Sequence, residues 1–71
     1  MQASQIGEFA GIVWRKLESN GNMNIEALQE ETGMDLSEIF AAIGWLAREN
    51  KISFTKENGV TTVGLYQEHY Y

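Results

Sequence analysis

The chain has 71 residues, no cysteine, and ten acidic against five basic side chains, for a net charge of −5 at pH 7. That length makes one small domain, residues 1–71, which buries only about 60% of its unfolded surface and must rest on a compact core or a partner subunit. The composition excludes a disulfide framework and a thiolate metal site. The acidic balance disfavours phosphate backbones and anionic membranes, which draw affinity from basic clusters.

The hydrophobic share of 44% argues against intrinsic disorder. No apolar run approaches the roughly 20 residues that span a bilayer. The opening MQASQIGE lacks the basic and apolar regions of a signal peptide, so a cytoplasmic location is expected by default.

Residues 5–18 carry a helical period, with Ile6, Phe9, Ala10, Val13 and Leu17 on one face and Trp14 at its edge. Ser4 reads as the N-cap, and Asn20-Gly21 as the stop. Gly7 and Gly11 lie off the core face, next to Trp14. Glycine inside a helix costs about 1 kcal/mol against alanine. Either another backbone approaches closely there, such as a second subunit, or the helix start is simply exposed.

Residues 22–24 form a connector that offers a third short strand to a small sheet. Asn24 then caps a short helix over 25–31, with Ile25 and Leu28 inward. Gly33 supplies the tight turn between two crossing helices. Asp35, with Glu38 three residues on, forms an Asp version of the capping box. The helix it starts, over 36–49, bears the broadest apolar stripe: Leu36, Ile39, Phe40, Ile43, Leu46 and Ala47. Asn50 ends it.

From residue 52 the period changes to two. Asn58-Gly59 predicts a type I′ hairpin turn between strands over about 52–56 and 60–65. That turn pairs Glu57 with Val60, Phe54 with Val63 and Ile52 with Leu65, and it sends the last four to one face. The tail, Tyr66–Tyr71, either packs back or frays.

The order is α+β: three helices followed by a two-stranded β-hairpin wing, the arrangement of a winged helix-turn-helix. The run LQEETGMDLSEIFAAIGWLARENKISF, then KENG and TTVGLY, carries this likeness. IGEFAGIVW followed by AAIGWLARENKI resembles a family of small, stand-alone bacterial winged-helix proteins of unassigned function. The resemblance covers nearly the whole chain. It is specific for the fold and not for an activity, since winged helices serve DNA, protein and RNA contact alike; the module expected is one of the transcription-regulator type.

In DNA-binding winged helices the third helix enters the major groove. Turning away from the apolar stripe, the outward residues here are Ser37, Glu38, Ala41, Ala42, Trp45, Arg48 and Glu49. Base readout favours Arg, Lys, Asn and Gln, and this face offers one arginine beside two carboxylates. Duplex DNA, disfavoured by charge, stays open through a wing-led contact using Ser37, Glu38, Arg48, Lys51, Lys56 and Asn58; the same cations also read as a solvated rim. Protein contact is the better-motivated reading. Trp45 stands on the low platform of Ala41, Ala42 and Gly44, as a contact anchor or as a lid over a gap beside the wing or tail. The Gly7–Gly11–Trp14 side of the first helix is the second candidate, and another copy of the chain is the simplest partner. His69 is the only histidine, and no nucleophile–base pair or phosphate loop is visible. The sequence therefore predicts no enzyme, no cofactor, no metal and no membrane partner.

Overall fold

In the computed structural model, which describes residues 1–66, the first apolar stripe becomes helix α1 (Ala3–Asn20). It begins earlier than the Ser4 cap predicts. The Gln2 backbone N–H donates to the Gln5 side-chain oxygen at 2.7 Å, which places Ser4 inside the first turn. The helix stops at Asn20, where the Gly21 N–H still reaches the Leu17 carbonyl at 2.9 Å.

Met23–Asn24 form β1, the third short strand. Asn24 also caps α2 (Ile25–Thr32), its side-chain oxygen accepting from the Ala27 N–H at 2.8 Å. Gly33 has φ 72°, and its N–H closes the helix on the Gln29 carbonyl at 2.8 Å. The Thr32 hydroxyl donates to the Leu28 carbonyl and accepts from the Met34 N–H, so the connector is bonded on both sides. Helix α3 (Leu36–Arg48) starts on the reciprocal cap: Asp35 accepts from the Glu38 N–H at 2.9 Å, and Glu38 accepts from the Asp35 N–H at 3.0 Å.

The wing is β2 (Ile52–Glu57) and β3 (Val60–Leu65). Asn58 and Gly59 both have positive φ, 52° and 80°, as a type I′ turn requires. Its register matches the turn chemistry: Glu57 opposite Val60, Phe54 opposite Val63, Ile52 opposite Leu65. β1 pairs antiparallel with β3, so the strand order is β1-β3-β2.

Helices and sheet enclose one core that includes Val13, Leu17, Leu28, Ile39 and Val63, all fully buried. α1 packs most extensively on α3. That packing corrects the sequence reading of α3. Ala42, expected outward, is 0% exposed, while Leu36 and Phe40, expected inward, are 49% and 55% exposed. The apolar arc is wider than its neighbours cover. Because α1 lies on the Ala42–Leu46 side, burial is rotated toward that side and away from Leu36 and Phe40. Phe54 departs for a different reason. It shares a face with Val63, but β2 is an edge strand, and Phe54 stays 52% exposed.

Residues 67–71 of the tail, His69 included, lie outside the described residues. Tyr66 itself is exposed, and its N–H donates to the Lys51 carbonyl at 2.9 Å.

Candidate functional site

Two candidates that lie far apart in the sequence meet in space. Gly7, Ala10, Gly11, Trp14, Arg15 and Glu18 of α1 face Trp45 and Leu46 of α3 across an open groove of about 480 Å³. Lys51, just past α3, completes its wall. The floor is low because α1 presents glycine and alanine along it. A Cβ added at Gly7 would meet no other atom within 4 Å, and one at Gly11 would touch only the Arg15 side chain, whose Nη1 lies 3.5 Å away. Among the described residues, no backbone from another element therefore requires either glycine. Trp14 is half-buried and packs against the core, whereas Trp45 keeps 42% of its surface exposed. Trp45 lines the groove together with the α1 residues.

Around this groove the charges are mixed: Arg15, Lys51 and Glu18 stand on its rim. Ala41, half-buried, remains on the α3 surface beside Trp45. Ala42 drops out as a contact residue, because its side chain is wholly enclosed.

The residues of the DNA reading are distributed over α3, the loop after it, β2 and the wing turn. Ser37 and Glu38 are engaged in the α3 cap: the Ser37 hydroxyl donates to the Asp35 carboxylate at 2.7 Å, and the Glu38 carboxylate holds the Asp35 N–H. The Ser37 hydroxyl, followed by the Glu38 backbone N–H, holds the exposed Asp35 carboxyl below its ordinary range. Arg48 is exposed at the end of α3, Lys56 on the edge strand and Asn58 in the wing turn. Lys51 lines the α1–α3 groove with Arg15. Among the described residues, no group of three His, Cys, Asp or Glu side chains is placed to hold a metal ion. No helix there is long and apolar enough to cross a membrane.

Leu36 and Phe40 escaped the sequence reading as surface residues. They lie one turn apart on α3, both exposed, and make that part of its surface apolar. The available signal was the width of the α3 stripe, which exceeds what a single packed face needs.

The family model described as "Winged helix-turn-helix domain (DUF2582)" matches residues 1–65, and the chain belongs to that family. The chain is also similar to protein BT2368 from Bacteroides thetaiotaomicron, whose solution NMR structure superposes with a TM-score of 0.83 at 28% sequence identity, covering 100% of this chain and 96% of that one. No curated protein matches the sequence.

Proposed function

We propose that this winged helix-turn-helix domain is a non-enzymatic, regulator-like module that acts chiefly through protein contact, made in the groove between α1 and α3. The observation that carries the reading is the convergence of Trp14 and Trp45, from different helices, on one glycine-floored groove. Tryptophan is enriched among the residues that dominate binding energy, and a central aromatic beside a pocket is the usual anchor. A domain this small leaves such surface open at a cost, since large exposed apolar patches mark interaction sites.

The outer surface of α3 supports the same reading. Leu36, Phe40, Ala41 and Gly44 occupy it, with Arg48 as its one cation. Bidentate donors to base edges are missing there, and Glu38 and Glu49 repel phosphates. The competing reading is a DNA-binding regulator that works through the wing and the C-terminal end of α3. It draws support from the exposure of Arg48, Lys56 and Asn58 and from the family's fold.

The test is the Trp45→Ala variant, with its helical content checked by circular dichroism. Loss of self-association, or of a partner captured by the wild type, is the expected result. An unchanged binding profile in a folded variant would sink the proposal. Duplex DNA binding at about 50 mM salt, falling steeply as salt rises, would install the competing reading in its place.

A further inference from the structure

We infer that the occupant of the groove is α1 of a second copy of this chain, lying antiparallel and crossing at Gly11. The inference rests on the protein-contact reading and names its partner. The α1 face is self-complementary, in size and in charge.

Consider size first. On α1, Gly7 lies four residues before Gly11 and Trp14 three residues after it, and all three face the groove. A two-fold axis through the Gly11 crossing places each Trp14 over the partner's Gly7. Open space is what the structure shows at Gly7, where an added Cβ would meet nothing within 4 Å. Glycine at the crossing lets the two helix axes come to the near end of the 8–10 Å range for packed helices. Trp45 then walls the groove on the other side of the incoming helix.

Charge fixes the direction. Glu8 and Arg15 lie on the solvent side of this face, separated by two turns. Neither has an ion-pair partner among the described residues; the ion pair there joins Lys16 to Glu31 of α2 at 3.7 Å. A two-fold axis perpendicular to antiparallel helices maps each flank onto itself, so Arg15 comes beside the partner's Glu8, twice. A parallel two-fold pair exchanges the flanks, so Arg15 would face the partner's Trp14 and Glu8 the partner's Gly7, and neither charge would gain a partner. In the single chain the Arg15 guanidinium lies back over Gly11. Swinging it out to the partner's Glu8 clears the crossing point and makes the ion pair in the same motion.

Sedimentation velocity over a range of concentrations tests this, with circular dichroism as the check on folding. The wild type is expected to dimerise. Glu8→Arg and Arg15→Glu should each weaken the dimer by about tenfold or more, because each creates two like-charge pairs. The combined Glu8→Arg/Arg15→Glu variant should regain most of the loss. Gly7→Leu should abolish the dimer in a folded monomer, since it fills the space Trp14 occupies. A wild type that stays monomeric overturns the inference, as does a dimer indifferent to all of these variants. Should the wild type be monomeric while Trp45→Ala still abolishes binding of another protein, the second copy falls and the protein-contact reading stands.

Discussion

Gly59 and Gly7 are the same residue type put to opposite uses. In the wing, Gly59 has φ 80° and follows Asn58 at 52°; the backbone itself demands a residue without a Cβ. In α1, Gly7 has no positive φ, and the space around it is open. The fold explains the first glycine completely and the second not at all. A glycine that conformation and internal packing leave unexplained costs helix stability for nothing inside the molecule, so its explanation is sought outside it. That contrast separates residues that build this domain from residues that serve its contacts.

The contrast can be broken most forcefully from the core that both regions share. Ile39→Ala should remove about 3 kcal/mol of stability by cavity formation. Chemical denaturation should then show α1 and the wing lost together, and a wing that survives alone would mean the regions are independent. The next largest effect falls on the wing. Gly59→Ala forces a side chain into the left-handed region and should cost about 1–2 kcal/mol, read as a lower denaturation midpoint, with no change in any association. Gly7→Ala should behave in the reverse manner. It should stabilise the single chain by up to about 1 kcal/mol while weakening self-association in sedimentation. Equal behaviour of the two alanine variants would erase the distinction.

The smallest effect concerns the start of α3. The folded-state pKa of Asp35 is depressed by the Ser37 hydroxyl and the Glu38 N–H. Its stabilisation is therefore present above the unfolded carboxylate pKa and is lost as pH falls through the lower, folded value. An acid titration followed by NMR should show the Glu38 and Ser37 amide signals moving below the ordinary carboxylate range.

The parts of the fold that were legible in the sequence are those fixed by local chemistry. Asn58-Gly59 sets a turn, the turn sets a register, and Phe54 meets Val63 as the alternation requires. Asn24 and Asp35 cap their helices through bonds spanning three residues, and such bonds depend on little beyond the residues that make them. What failed was direction at long range. The stripe of α3 shows how much apolar surface the helix has, but not where α1 will lie. Hence the stripe alone puts Ala42 outward and Phe40 inward, and the packing reverses both. The groove shows the same limit in a useful form. Trp14, Trp45 and Gly7 were each conspicuous in the sequence, but their meeting depends on how α1 packs against α3, and Lys51 joins them only through the loop that follows α3.

The two-residue strand β1 has a consequence for how the chain reaches this structure. Met23 pairs with Val63, forty positions away, whereas the wing closes on itself through a two-residue turn. A hairpin of that kind forms within about 1–10 μs. The Met23 pairing must first meet the entropy of closing a long loop. The sheet is thus expected to be completed from the β2–β3 hairpin to the β1 edge, with Met23 arriving last and locking α1 and α2 to the wing. Amide exchange should place the slowest protons of the sheet on Val63, the residue whose strand is bonded on both sides. Cleavage of the chain anywhere between α2 and β2 should leave two fragments that fold only in each other's company.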